Sequence, residues 1–509
     1  MKFKNLIFLT GMLLPVTSSY AQYAEDALRF SQTEQGATAR FKALGGAQTA
    51  LGGDASSLAS NPAGLGLFTR SELSFTPDIS NSTIKSNYLN SSSSIQKDRA
   101  GINQVGVVFY NPTRKYNSSD VSSGWLSFNF GIAYNKTNNF NSTTEYGGVN
   151  PRSSFGDYMS DLASNPDDLL ATAGYDSHLI ELDQPSGTYF PITDVNNNQV
   201  NTVFRSGGQS EVNFSLGGNY SNNFYLGASL GIASINFNAD REYIESGLTL
   251  DQAAIDQQGL TVYNETKPYL DAAFRLSYQS NQETQGTGVN AKLGFIYRPS
   301  PNVRFGMSFI SPTWYTITES FSETLNTRFN KSNGQTETFN SDEEIYDSDY
   351  SLRTPYRFNG GLAVIVTNFG LLTGDIEYVD YASIHFSSDE REASNNTNRD
   401  IRDLYKGAVN LKVGAEIKLN PLMLRAGYST NGNPYQNGSY TTNTISTGIG
   451  YRVNNLSFDL TYSNLSSNYT TSPYLLSQDY RYYSSTGSGE SAEIQSRRSN
   501  IFATVGLRF

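Results

Sequence analysis

What most limits the folds open to this chain is a rhythm. Fourteen period-two segments are joined by connections that alternate between short and long. The segments lie near residues 72–80, 102–110, 124–137, 205–220, 223–238, 287–298, 302–318, 352–366, 370–382, 405–419, 421–430, 442–453, 455–463 and 496–509. In the tenth, Val409, Leu411, Val413, Ala415, Ile417 and Leu419 alternate with Asn410, Lys412, Gly414, Glu416 and Lys418. Residues 126–134 do the same, with Leu126, Phe128, Phe130, Ile132 and Tyr134 on one side. A strand patterned this way has one apolar and one polar face.

A water-soluble sandwich would satisfy that pattern, but the connections decide against it. The even-numbered ones are short (Ser221 to Asn223, Pro299 to Pro301, Thr367 to Phe369, Asn420 and Asn454), with Asn111 to Ser123 the exception. The odd-numbered ones are long, including 138–204, 239–286, 319–351, 383–404 and 464–495. An even strand number with short turns at one end and long loops at the other is the organisation of an outer-membrane barrel. The expected fold is therefore all-β, a membrane-spanning antiparallel barrel of 14 strands, located in the outer membrane of a Gram-negative cell. Its polar faces, carrying Glu211, Lys292, Arg298, Arg304, Lys412, Glu416, Lys418, Arg452 and Asp459, would line the lumen and pair with one another or with a plug.

Composition agrees. Hydrophobic residues make up 37% of the chain, below the ~45–50% usual for globular domains, so a barrel that needs one apolar face suits it better than a large soluble core. No run of ~18 apolar residues is present to form a spanning helix. Net charge of −11 argues against nucleic acid as a partner. Tyr220, Phe224, Tyr297, Phe305, Tyr428, Tyr451 and Tyr462 fall near strand ends, where amphipathic rings form the two girdles of such a barrel. The last strand, Ile501 to Phe509, alternates and ends on an aromatic, a recognition signal for the barrel assembly machinery. Lys2 and Lys4, the apolar run Leu6 to Val16 and Ser19-Tyr20-Ala21 read as a secretory signal over residues 1–21, so the mature chain would begin at Gln22. With no cysteine, neither disulfides nor an N-terminal lipid anchor is available.

Ahead of the first strand lies Gly36 to Leu65, GATARFKALGGAQTALGGDASSLASNPAGL, built from small residues. Gly45-Gly46 and Gly52-Gly53 break it into short pieces. Ala47 to Leu51 has room for a helical turn. Asp54 would cap a second over Ala55 to Ser60, and Asn61-Pro62-Ala63-Gly64 would turn with the Asn side chain on nearby backbone. Small residues and repeated turns suit a compact segment packed inside something narrow.

Enzyme readings fare badly. Gly227-Ala228-Ser229-Leu230-Gly231 matches the G-x-S-x-G of a nucleophile elbow but lies inside an alternating strand with no helix after it. The two histidines, His178 and His385, fall in loops, and a barrel hydrolase would need His385 beside a strand serine. No catalytic residue, metal site or cofactor is assigned. The acidic run Asp342-Glu343-Glu344 with Asp347 and Asp349 lacks the spacing of a dedicated Ca²⁺ loop. Asp157 to Ala173 and Leu248 to Gln258 read as short helices that would cap the outer end.

A small-residue N-terminal stretch with Asn61-Pro62-Ala63, ahead of a fourteen-stranded barrel, resembles the FadL/TodX family of outer-membrane transporters of hydrophobic compounds. Further likenesses are Ser311-Pro312 with Tyr315, Leu352 to Val364, Leu411 to Pro434 and Thr447 to Tyr462. The resemblance implies three parts: a signal peptide (1–21), an N-terminal hatch inside the lumen (22–70) and the barrel with long extracellular loops (71–509). It implies that Asn61, Pro62, Ala63, Gly45, Gly46 and Asp54 belong to the hatch, and that Gln22 and Tyr23 border a substrate site. An inward kink within Trp125 to Thr137 would open the wall, so that a fatty-acid-like or aromatic molecule leaves sideways into the membrane. Expected partners are that small molecule, outer-membrane lipid and lipopolysaccharide, and the chain would act as a monomer. The alternative is a general porin or a surface-binding adhesin barrel. Longer, more polar loops and the hatch cations Arg40 and Lys42 set this chain apart from fatty-acid members of the family.

Overall fold

Each alternating segment becomes a strand whose apolar side chains point away from a common axis. The computed structural model describes residues 18–113, 123–165, 168–366, 369–437, 440–477 and 490–509, and the side chains from Tyr23 onward. Its strands are β1 (Glu72–Tyr88), β2 (Ser91–Phe109), β3 (Trp125–Asn139, continued by Ser142–Asn150), β4 (Asn197–Tyr220), β5 (Phe224–Leu248) and β6 (Ala273–Ser300). There follow β7 (Val303–Ile310, continued by Trp314–Asn330), β8 (Glu344–Arg353, continued by Arg357–Val366) and β9 (Gly370–Asp380, continued by His385–Ser388). The last five are β10 (Gly407–Leu419), β11 (Leu422–Asn431), β12 (Thr441–Val453), β13 (Leu456–Thr471) and β14 (Ala492–Arg508).

Every neighbour pair is antiparallel, and β14 pairs with β1 from Arg508↔Glu72 to Glu493↔Asn87, which closes the sheet on itself. A closed barrel leaves no lateral edge and satisfies the backbone in lipid. Leu216, Leu230, Ile232, Leu293, Leu372, Val413, Leu424 and Ile449 stand exposed on its outer side. Packed rings mark the turn end of the belt: Trp125 on Phe128 at 5.0 Å and Phe224 on Tyr297 at 4.8 Å between centroids.

The strands run further into the loop end than alternation of apolar residues indicates. Residues 81–101, expected as a long connection, are the far halves of β1 and β2, joined by a turn at Leu89-Asn90 in left-handed backbone (φ 46° and 64°). Much of 319–351 is likewise strand. Above the membrane both faces meet water or polar neighbours, so runs such as Ser91-Ser92-Ser93-Ser94 pair through backbone and polar side chains, as where Ser92 donates to its partner Asn87 at 2.7 Å.

Eight or fewer residues suffice for most of the helices outside the wall. They are α1 (Ser18–Ser31), α2 (Ala39–Ala43), α3 (Phe155–Leu162), α4 (Leu169–Asp176), α5 (Gln252–Gln257) and α6 (Arg391–Leu404). The expected loop helices at 157–173 and 248–258 thus form, in two pieces and one piece respectively. They pack into a cap over the loop end around Phe155, Met159, Leu179, Phe190, Tyr243, Ile255, Tyr269, Phe329 and Tyr474.

Candidate functional site

The lumen is occupied from the turn end upward by residues 36–68. Thr38 caps α2, its hydroxyl also 2.9 Å from each Asp54 carboxylate oxygen. Asp54 accepts the Ser56 N–H at 2.9 Å and so starts the 3-10 turn Ala55–Leu58. Asn61 starts the next, Pro62–Leu67, by accepting the Ala63 N–H at 3.2 Å, while its amide donates to the Thr49 carbonyl at 2.6 Å. Pro62 and Ala63 are buried in that turn. Gly45 and Gly46 have φ of 65° and 81°, and a Cβ on Gly45 would stand 2.8 Å from the Tyr428 backbone nitrogen. Glycine there lets the segment lie directly on the wall.

Such a segment has no strand partner for its backbone, yet buried N–H and C=O groups must be satisfied. The inward faces of the strands do it. Asp375 accepts the N–H groups of Gln48 and Thr49, both at 2.8 Å. Arg304 donates to Leu51 O at 2.6 Å, Lys292 to Ala59 O at 3.0 Å, Ser215 to Leu58 O at 2.7 Å and Asn129 to Leu65 O at 2.7 Å. Arg40 pairs with Glu416, which also binds Arg425, and Arg425 pairs with Asp459. Of the lumenal charges, Lys292, Arg304 and Glu416 therefore tie the wall to the segment, while Glu211 and Asp459 hold the wall cations Lys292 and Arg425. Ser229, the serine of the G-x-S-x-G match, reaches Leu58 O at 3.3 Å and Ser215 Oγ at 2.7 Å. The glycine before it, Gly227, faces the Pro62-Ala63 peptide, where a Cβ would collide. That motif is a contact surface for the segment.

At one seam the wall parts. β2 and β3 pair only from Gln104↔Asn135 to Phe109↔Phe130. Above Asn135 the β3 strand shifts register against β4 between Lys136 and Asn138, and β2 pairs with β1 alone. Higher up the two sides meet again where the Ser93 hydroxyl donates to Glu145 O. A window is left between, with an outward-facing hollow of about 420 Å³ bounded by Ile102, Tyr134, Lys136 and Gly208. Lys136 spans it, 3.0 Å from both oxygens of Asp78 on β1.

The inner side of this window is covered by residues 32–37. Glu34 N–H donates to Thr137 O at 2.7 Å, Asn138 donates to Gln32 O at 3.0 Å, and Asn103 donates to Ala37 O. Gly36 comes so close that a Cβ would sit 2.6 Å from Lys136 N and 2.7 Å from Asn103 O.

The fold is that of FadL-type channels. A solved structure of the P. putida toluene transporter TodX superposes with a TM-score of 0.50 at 15% identity, covering 93% of this chain and 99% of that one. A Pseudomonas aeruginosa FadL homologue gives 0.54 at 13% identity, over 93% and 98%. No protein-family profile matches the sequence, and no curated protein sequence matches it either. The barrel fold is thus shared with solved structures described as a toluene transporter and a FadL homologue.

Behind the window lies a cavity of about 470 Å³. Phe30, Phe41, Phe140, Tyr315 and Phe502 give it apolar wall, while Arg29, Lys42, Arg205, Lys292, Arg357, Lys412 and Arg498 outnumber Glu34, Glu211 and Glu377. On its loop side α1 crosses the lumen, burying Ala24, Ala27, Leu28 and Phe30 against Phe237, Ile317, Leu352, Phe386 and Tyr405. Gln22 lies in this helix, and Tyr23 stands next to it, its hydroxyl 3.3 Å from Ser348 Oγ and its ring 5.0 Å from Phe386. The Gln22 side chain lies outside the described residues, and Tyr23 is not among the described residues that line the cavity, which begin at Arg29. The helix α1 carries Ala24, Ala27 and Leu28 at helical spacing, whereas the long α6 beside it is mostly polar and buries only Ala393, Thr397, Asn398 and Ile401; nothing in the residues themselves announces where the ladder of β2 and β3 stops.

Proposed function

We propose that this chain takes up hydrophobic small molecules, fatty-acid-like or aromatic, by passive diffusion gated by the hatch, with lateral exit into the membrane through the window between β2 and β3. The observation that carries this reading is the juxtaposition of three things in one place. The cavity, the unpaired stretch of wall and the cover of residues 32–37 all meet at Thr137 and Asn138. Lipopolysaccharide resists apolar molecules and a water-filled pore offers them no favourable surroundings, whereas a path with apolar rings and a side door avoids both. Concentration difference and consumption inside the cell supply direction.

In this reading cargo is admitted among the cap loops, passes α1 and waits in the cavity. Gly45, Gly46, Asp54, Asn61, Pro62 and Ala63 hold the hatch on the wall, Gln22 and Tyr23 border the way in, and residues 32–37 move off the window to release it. Relatives of this fold named as toluene transporters support the cargo class. The test is uptake of labelled toluene and oleate by cells carrying the chain or a variant with Gly36→Val, which forces the cover off Lys136 and Asn103. Uptake rises several-fold if the window is the exit. Equal uptake from both, together with a large steady ion conductance of the unaltered chain in planar bilayers, would instead make it a general pore.

A further inference from the structure

A chain of net charge −11 has no compositional reason to gather cations, yet it does so at the upper rim of the window. In the register of β14, β1 and β2, Ser82 stands between Arg498 on one side and Lys97 on the other, and Ser80 faces Arg99. With strands ~4.8 Å apart, the Arg498 and Lys97 backbones lie about 10 Å from each other. Arg205 of β4 completes the ring from across the opening, and Lys97 Nζ rests 4.2 Å above the Phe204 ring next to it. Together these side chains line a small alcove that runs into the main cavity through Arg205 and Arg498.

Among the described residues, four cations line this alcove and no carboxylate does. Neighbouring carboxylates are engaged: Asp78 by Lys136, Glu34 by Arg498, and Asp98 by the Asn81 amide. Like charges so placed repel one another unless an anion sits between them, and guanidinium groups present forked donors that match phosphate oxygens. The height is informative as well. Ile102 on β2 and Tyr134 on β3 are the last exposed apolar side chains beside the opening, so Arg99 and Lys97 follow at the level of lipid headgroups.

We propose that this alcove is a binding site for the phosphate-type anionic headgroup of an amphiphile, held by Lys97, Arg99, Arg205 and Arg498, with its apolar chain along the window beside Ile102 and Tyr134. An incoming anion takes over Arg498 from Glu34 and thereby loosens residues 32–37 from the window. The site goes beyond the uptake reading, and its occupancy is measurable whether or not transport takes place.

The experiment is calorimetric titration of the purified full chain in dodecyl maltoside with octyl phosphate, with octanol as the uncharged counterpart. The expected result is binding of octyl phosphate only, at least tenfold weaker in K97A/R99A and several-fold tighter in E34Q, which frees Arg498. A gain of affinity cannot come from misfolding, and heat-modifiable gel migration checks that each barrel is closed. Inorganic phosphate alone displacing octyl phosphate assigns the site to a free anion, and displacement only by lipid A-containing vesicles assigns it to a membrane lipid; either retains the anion site. Equal affinity of the unaltered chain and K97A/R99A, or octanol binding as tightly as octyl phosphate, overturns it.

Discussion

The two ends of the lumen are blocked in different ways. At the turn end, residues 36–68 are held through their backbone, with wall side chains such as Asp375, Lys292, Arg304 and Asn129 completing hydrogen bonds that no strand supplies. At the loop end, wall side chains reach cap backbone at Ser153, Phe155 and Pro473, but most of the cap is held by rings: Phe155 stacks on Tyr243 at 4.8 Å, with Tyr278 at 5.3 Å and Tyr474 at 5.9 Å. Backbone-to-wall bonds are directional, and a displaced hatch would leave buried polar groups unpaired at about 1–3 kcal/mol each. Aromatic packing is far less particular about register, so loops held that way can part and close again. The turn end is thus fixed mainly by directional bonds, and the loop end mainly by packing.

The largest expected effect comes from removing the fixed end outright. Deleting residues 36–65 should leave a folded barrel whose single-channel conductance in planar bilayers rises at least tenfold, with uptake of hydrophobic cargo lost. Unchanged conductance would mean that the hatch blocks nothing. Next comes the cap. Phe155→Ala removes the ring at its centre and should cost about 3–5 kcal/mol of cap stability, seen as faster amide exchange across α3 and α4 while the β-strand amides of the belt keep their protection. Belt amides exchanging faster by the same factor would show the two ends to be coupled. Gly227→Val is the matching change in the wall. It pushes a side chain into the Pro62-Ala63 peptide and should cost about 1–3 kcal/mol by overpacking, exposing residues 55–67 to exchange and leaving the cap untouched.

The smallest effect is a pH dependence confined to the cap. Glu245 is fully buried there and accepts from Tyr243 at 2.6 Å, from Asn197 and Gln199 at 2.9 Å each and from the Phe155 N–H at 3.0 Å. Burial nevertheless dominates and raises its pKa from 4.5 to about 7. A carboxyl whose pKa is raised on folding contributes its full stability below the unfolded value and loses it as pH rises through the folded one. Cap protection, corrected for intrinsic exchange, should thus fall between pH 4.5 and 7, and Glu245→Gln should flatten the curve. A flat curve for the unaltered chain would remove Glu245 from the account.

The wall was legible because lipid imposes alternation on every residue in the belt, from Leu73 to Leu507. The hatch turns were legible because Asp54 and Asn61 carry their capping chemistry in their side chains. Above the belt that constraint lapses. The far halves of β1 and β2 are rich in Ser and Asn, so their pairing leaves no apolar trace, and α6, with its Asn395-Asn396 and an N-cap Glu390 that makes no side-chain cap bond, reads as loop. The expected kink range, Trp125 to Thr137, did include the residue where the register of β3 slips, but the extent of the window follows from which strand β2 fails to pair with. That is a property of two segments at once. Lys97, Arg99, Arg205 and Arg498 are scattered over four hundred residues, and only closure of the barrel gathers them.

Closure also joins the two ends of the chain. Because Thr504 of β14 accepts the Ala39 N–H and Thr461 of β13 donates to the Ala39 carbonyl, the final two strands finish bonds begun by the first part of the chain. Stopper and final staves thus complete one another, each holding out groups that only the other can satisfy.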